Sequence, residues 1–341
     1  MIVRNEYVKK IKIKLLFIIA LILLSFITAG IAITLGSYKI EFLDAYRIIL
    51  KCLFSKPENV EEAVIWELRL PRVLGAIVVG SSLSLAGAMV QGVLRNPLAT
   101  PYTLGISSAA GLGAALAILY LPLLVIPLAF LFSLIPIFVI LSISKIKGAT
   151  PETMILSGIA MLYIFSAVTT LLMYFADPHD VKTVYFWMVG DLSRISWDNL
   201  PIMATVLIIC FILLLLKVWD VNALMALGDE NAKSVGVDPE RTRIMVMLIS
   251  SFLTASIVSF TGTIGFVCLV APHICRILIG GDYRFLLPAS TVFGGLLLLV
   301  CDTIARTIIA PVVLPVGTIT NCLGGPMFLY LLIRRRREYW G

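Results

Sequence analysis

The chain is a succession of long stretches that carry no charged side chain. They cover 15–36, 73–94, 97–144, 153–176, 199–216, 244–275, 285–301 and 307–333. A helix needs about 20 apolar residues to cross the roughly 30 Å hydrocarbon core of a bilayer, and in that core every backbone N–H and C=O must be satisfied within the protein. Stretches of this length therefore predict an all-α, polytopic membrane protein. The composition agrees: 60% of residues are hydrophobic, 14% are charged and the mean hydropathy is +1.03. The run 97–144 is about twice the length of one span and is punctuated by Pro122 and Pro127. It predicts two helices with a tight outer turn. The run 244–275, broken by Gly262, Gly265 and Pro272, predicts one full span and the start of a shorter one ending near Gly280. The sum is about ten transmembrane helices in a single domain over 1–341.

Orientation follows from the basic residues, which concentrate on the cytoplasmic side. With the N-terminus inside, the inner segments hold Arg4, Lys9, Lys10, Lys12, Lys14, Arg95, Lys145, Lys147, Lys217, Lys233, Arg241, Arg243, Arg276, Arg284 and Arg334 to Arg337, 18 of the 27 Lys and Arg. An even number of spans returns the C-terminus to the inside, where that last run belongs. The net charge of +7 is explained by this asymmetry. The charges flank spans and form no soluble basic face, so nucleic-acid binding is a poor alternative. The N-terminal stretch 15–36 is long for a signal peptide and has no A-x-A site, so it is expected to be an uncleaved first span. The six cysteines (52, 210, 268, 275, 301 and 322) form no CxxC pair and fit small apolar core residues better than metal ligands.

Small residues recur every four positions in the second span (Ala76, Gly80, Ser84, Ala88, Gly92) and the third (Gly105, Ala109, Gly113, Ala117). Such stripes form a pore wall or let helices of one subunit approach closely. Pro311, Pro315, Gly317, Gly324, Gly325 and Pro326 crowd the tenth span, which would be a pathway lining, a gate or a rigid joint.

Candidate catalytic groups are scarce. Carboxylates occur only at the ends of spans, whereas an ion-coupled carrier usually keeps an ionisable group near mid-depth. The histidines are His179, in an outer loop, and His273; HExxH and GxSxG are absent. The string Gly228 to Ser234 imitates a P-loop without its second glycine or a preceding strand. No cofactor or metal site is expected, and ATP, if used, would bind another chain.

The longest charged segment expected inside is 217–243. Asn222 can cap a short helix through Leu227 that Gly228 ends. Asp229 can cap a second helix that stops at Gly236, and Asp238-Pro239 suits the start of the next span. By composition this segment is equally a rigid lever or a capped linker. At the outer end of the second span Arg69 and Arg72 flank Leu-Pro, and Arg306 follows Asp302 by four residues, close enough to pair on one helix face. These arginines serve as interfacial anchors, as an internal pair, or as a surface for carboxylates.

Several spaced blocks carry a resemblance: Gln91 to Gly105 (QGVLRNPLATPYTLG, with Arg95, Asn96 and Pro97), Arg69 to Arg72, Trp187 to Gly190, Ala226 to Gly228, and Gly262 to Pro288 with its Pro272-His273 pair. The chain resembles the iron-chelate and cobalamin uptake permeases (FecCD-like, BtuC-like), membrane subunits of type II ABC importers. The resemblance implies a BtuC-like permease fold, N-in and C-in, in the cell membrane. The chain would pair with a second copy and itself do no bond chemistry. It implies that Asn222, Ala226, Leu227, Gly228, Ala232 and Gly236 form coupling helices gripped by two cytoplasmic ATPase subunits. Arg69, Arg72 and Arg306 would face glutamates of an extracytoplasmic binding protein. The fifth and tenth spans would line the pathway, with Ser157, Met161, Ser166, Thr169 and Thr170 offered by the fifth. His273 would be structural. The substrate would be an iron-siderophore, haem or cobalamin, with an oxyanion such as molybdate as the alternative. A gradient-driven secondary transporter and an intramembrane enzyme are the competing classes. Cys268 and Tyr283 depart from the family pattern, where glycine and histidine are usual. Neither departure touches a known participant.

Overall fold

The computed structural model describes residues 2–333 apart from 37 and 39, so the Arg334–Arg337 run expected inside lies outside the described residues. In chain order the helices are α1 (Ile2–Thr34), α2 (Phe42–Cys52), α3 (Val60–Ala63), α4 (Leu70–Val93), α5 (Ile106–Tyr120), α6 (Val125–Lys147), α7 (Pro151–Tyr174), α8 (Pro178–Val189), α9 (Leu200–Leu215), α10 (Val218–Ser234), α11 (Pro239–Thr261), α12 (Val267–Ile279), α13 (Tyr283–Thr307) and α14 (Val316–Ile333). No strand occurs among the described residues. Six helical stretches are long and apolar enough to cross a membrane, or seven if α9 and α10, bent by 49°, count as one. α5 and α12 are shorter apolar helices. The expected pair within 97–144 is present as α5 and α6, joined by the turn Pro122–Leu124.

α4 is the centre of the molecule: 83% of its most apolar window is buried, against 22% for α1 and for α7 at the periphery. Its small-residue stripe explains the position. A Cβ on Gly80 would lie 2.2 Å from the carbonyl oxygen of Gly294 on α13, and one on Gly92 would lie 2.5 Å from the hydroxyl oxygen of Tyr283 on α13; beside the stripe, a Cβ on Gly87 would lie 1.9 Å from the carbonyl oxygen of Cys268 on α12. Ser84 Oγ donates to Ser290 O at 2.7 Å. On α5, a Cβ at Gly113 would lie 2.3 Å from Leu128 O on α6. The stripes therefore bring backbones of one subunit together. Tight packing also accounts for part of the tenth span: Gly317 sits on the carbonyl of Val189 and Gly324 on the ring of Phe266.

A π-helical turn, Val64–Arg69, leads into α4. Pro71 has no N–H to offer the carbonyl one turn back, and a widened turn is a common local answer. The turn brings Arg69 and Arg72 to the N-terminal end of α4. Trp197 braces it, donating to Trp66 O at 2.8 Å.

Candidate functional site

Two polar assemblies lie at opposite ends of the helices. At the end shared by the α1 C-terminus and the α4 N-terminus, Asp302 of α13 is fully buried between two guanidiniums. Arg72 Nε donates to Asp302 Oδ1 at 2.9 Å, and its Nη2 lies 2.8 Å from the same oxygen. Arg306 Nε donates to Oδ2 at 2.9 Å, so the expected Asp302–Arg306 pair forms and gains Arg72 as a third member. Other donors of Arg306 and Arg69 go to the end of α1 and the segment just after it. Arg306 donates to Leu35 O and Ala32 O, each at 3.1 Å. Arg69 donates to Ile33 O at 3.0 Å, Thr34 O at 3.1 Å and Tyr38 O. A helix leaves its last four carbonyls without partners and favours positive charge there. α1 has no basic residue in its last turn, so residues far away in sequence supply the cap.

All three arginines are nearly buried. They also line a cavity of about 350 Å³ with Tyr38, Glu67 and Ile195. Three glutamates of the segment between α2 and α4 have partners of their own. Glu58 and Glu62 hold Lys51 at 2.7 and 2.8 Å, and Glu61 accepts from Tyr38.

The second assembly surrounds α10. This helix begins at Val218, five residues earlier than expected, so Asn222 lies inside it and is not its cap. Asn222 reaches across to the start of α13. Its Nδ2 donates to Asp282 Oδ1 at 3.1 Å and its Oδ1 accepts from Tyr283 N at 2.9 Å. Burial opposes the charge on Asp282, but bonds from Arg284 and Asn222 outweigh it and hold the carboxyl below its ordinary range. Tyr283 is fully buried. Its hydroxyl accepts from Arg276 of α12 at 2.9 Å and donates to Ala88 O of α4 at 3.0 Å. One tyrosine thus joins α13, α12 and α4 at the point where α10 is attached. Its substitution for a usual histidine gave no hint of this role.

The expected break at Gly228 is present (φ 76°, ψ 176°), a conformation open essentially to glycine alone, and Arg95 lies over it. Beyond the break Asp229 pairs with the buried Arg243 of α11. Arg243 also donates to Val93 O at 3.0 Å and Ala149 O at 3.2 Å, closing the end of α4. α10 ends as expected. Gly236 takes φ +86°, and the N–H groups of Gly236 and Val237 return to Lys233 O and Ala232 O. Asp238 caps α11 by accepting from Arg241 N at 3.1 Å. Both halves of α10 are therefore bonded to membrane-length helices. Ala226, Leu227, Val235 and Gly236 remain exposed, whereas Ala232 is fully buried and packs inward.

The Gln91–Gly105 block forms the joint between these parts. Gln91 donates to Leu269 O of α12 at 3.3 Å. Arg95 takes a positive φ, Asn96 caps the turn at Leu98 N ahead of which Pro97 stands, and Gly105 opens α5 at φ +84°. Thr100 and Thr103 bond each other's backbone N–H. Pro272 lies within α12, and the nearly buried His273 meets the ring of Phe328 edge-on at 6.3 Å between centroids.

The proposed pathway residues of α7 do not share one face. Ser157 and Thr169 are buried against their own subunit. Met161 and Ser166 are half-buried, with Met161 against the Gly105 turn, and Thr170 is exposed. Among the described residues no group of three His, Cys, Asp or Glu is placed to hold a metal.

The model of the FecCD transport family matches residues 12–334. A Methanocaldococcus jannaschii protein, provisionally named an ABC transporter permease, is 47% identical over 96% of both chains. The hemin transport system permease HmuU of Yersinia pestis is 37% identical, over 88% of this chain and 92% of its own length. The cobalamin import system permease BtuC of Halobacterium salinarum is 39% identical, over 84% of this chain and 76% of its own length. Among solved structures, one described as an inward-facing metal-chelate type ABC transporter superposes with a TM-score of 0.83 at 29% identity. It covers 93% of this chain and 99% of its own.

Proposed function

Because the chain belongs to the FecCD transport family, we propose that it is the permease subunit of an ATP-driven importer for a metal chelate of the iron-siderophore, haem or cobalamin class. Ten spans, counting α5, α9, α12 and α14 with the six longer helices, hold it in the cell membrane with both termini inside. Two copies enclose the pathway, and two ATPase chains grip α10 of each. A binding protein delivers substrate at the outer end, where an acidic side chain entering the cavity meets Arg69, Arg72 and Arg306. The arginines have already committed most donors within the subunit, so they offer a fixed positive field more than free hydrogen bonds.

The observation that carries this reading is the rigid mounting of α10. A segment that only linked two spans needs no anchors. This one is bonded to α13 through Asn222 and to α11 through Asp229, while presenting Ala226, Leu227 and Val235 outward. A push on that surface reaches the helices without being lost in loop motion. The chain itself does no bond chemistry, and ATP is hydrolysed on the partner. The pathway runs beside α7, where Ser166 and Thr170 supply weakly polar groups, and α14. A lining without charge holds a bulky chelate loosely and lets it pass.

The test is purification of the tagged chain from its native membrane with its partners. The expected result is a complex containing a Walker-motif ATPase, from which Leu227→Asp releases the ATPase while the permease stays folded. A permease that drives chelate uptake into vesicles from an ion gradient alone, with no ATPase, would overturn the proposal.

A further inference from the structure

The short helix α2, outside the sites described so far, carries three faces where an amphipathic helix carries two. At 100° per residue, Ala45, Ile48 and Cys52 share one arc and are buried against the protein. Asp44, Arg47 and Lys51 share a second, polar arc. Asp44 and Arg47 pair at 3.2 Å, and Lys51 is held by Glu58 and Glu62. The third arc, between them, holds Phe42, Leu43, Tyr46, Leu50 and Leu53. Four of these five are more than half exposed. Phe42 and Tyr46 pack as a ring pair with centroids 4.9 Å apart.

The height of α2 identifies what covers this arc. The hydroxyl of Tyr46 lies against Gly30 of α1, so closely that a Cβ there would come within 2.3 Å of it. Gly30 is four residues short of the end of α1, about 6 Å below it along the axis. α2 is thus level with the last turn of α1. At that level Ile27 and Ile31 of α1, and Leu35 just beyond it, are also exposed and apolar. Resting on the reading that α1 crosses the membrane, we propose that α2 is an interfacial helix whose Phe42–Leu53 arc lies in the outer leaflet, at the junction of headgroups and acyl chains. A phospholipid surface fits all three faces: apolar residues enter the acyl boundary, Tyr46 sits at headgroup level, and the Asp44–Arg47–Lys51 arc faces water. A protein partner on this arc would have to bury an apolar strip continuous with the lipid-facing side of α1.

The test uses the whole transporter in nanodiscs of phosphatidylcholine, with Cys322→Ser as background and single cysteines from Leu43→Cys, Leu50→Cys, Arg47→Cys and Leu23→Cys labelled with an environment-sensitive fluorophore. Leu23 is exposed in mid-α1 and reports whether α1 is in the bilayer at all. Lipids carrying a nitroxide just below the headgroup are expected to quench the labels at 43 and 50 severalfold more than the label at 47, with aqueous iodide giving the reverse order. If the label at 23 meets iodide and not lipid, the span reading of α1 fails. If 23 is in lipid but 43 and 50 are quenched by iodide as readily as 47, or become shielded only when a binding protein is added, the interfacial proposal is overturned. Leu43→Trp with brominated lipids repeats the measurement without a bulky label.

Discussion

Buried charges in this molecule are held by partners drawn from several helices. Asp302 is the clearest case. It is fully buried between Arg72 and Arg306, and removing its charge leaves two guanidiniums facing each other at the tip of α1. Breaking a buried ion pair from one side costs about 3–5 kcal/mol. Asp302→Asn is therefore expected to lower the thermal unfolding midpoint of the purified chain by several degrees, measured in mild detergent, whether or not any partner is present. Gly228 presents the opposite case. A Cβ there meets only Arg95, at 3.5 Å, so Gly228→Ala has room. Its penalty is the backbone conformation, on the order of 1–3 kcal/mol. The folded chain is expected to survive with α10 straightened, and the loss should appear as weaker retention of the ATPase in a pull-down.

At the scale of elements, α10 and its anchors behave as one piece. Tyr283→Phe keeps the ring in its buried slot but removes the hydroxyl that joins Arg276 to Ala88 O, a net loss of about 0.5–1.5 kcal/mol for each of the hydrogen bonds it makes. In reconstituted vesicles, this variant is expected to hydrolyse ATP near the parent rate while importing less substrate per ATP. An unchanged ratio would show that Tyr283 serves packing alone. The local devices of this region were legible in the sequence: the break at Gly228, the stop at Gly236 and the cap at Asp238 each depend on one residue type at one position. The long-range partners were not. Asn222 looked like a cap because asparagine before an apolar run usually is one, but the helix had already begun at Val218 and the side chain was free to bind α13. The acceptors of Arg69, and of Arg243 and Arg306 beyond their aspartates, are backbone carbonyls, which leave no trace in residue identity. Likewise, the residues picked on α7 do not all share one face, because residue type alone carries no angular information.

For the whole molecule, the uncharged runs and the four-residue stripes told most of the story, since lipid demands the first and close helix contact the second. The stripe predicts a severe phenotype. Gly80→Leu places side-chain atoms where the Gly294 carbonyl stands, and a backbone obstacle cannot turn aside as a rotamer would. This variant is expected to fail to accumulate as folded protein, seen as aggregation on size-exclusion chromatography. Orientation is tested by cysteines at the exposed Glu58 and Glu230 on a Cys322→Ser background. A membrane-impermeant maleimide applied to intact cells is expected to label 58 and spare 230 until the cells are opened. The cap on α1 also bears on biosynthesis. Two of its four donor bonds with the terminal turn come from Arg306, more than 270 residues downstream. α1 leaves the ribosome long before α13, so the carbonyls of Ala32 and Leu35 wait for α13 to be inserted before they gain these partners. A nascent chain stopped before α13 would therefore hold its first helix by an unfinished latch, which membrane quality-control proteases could use to tell a partial product from a completed one.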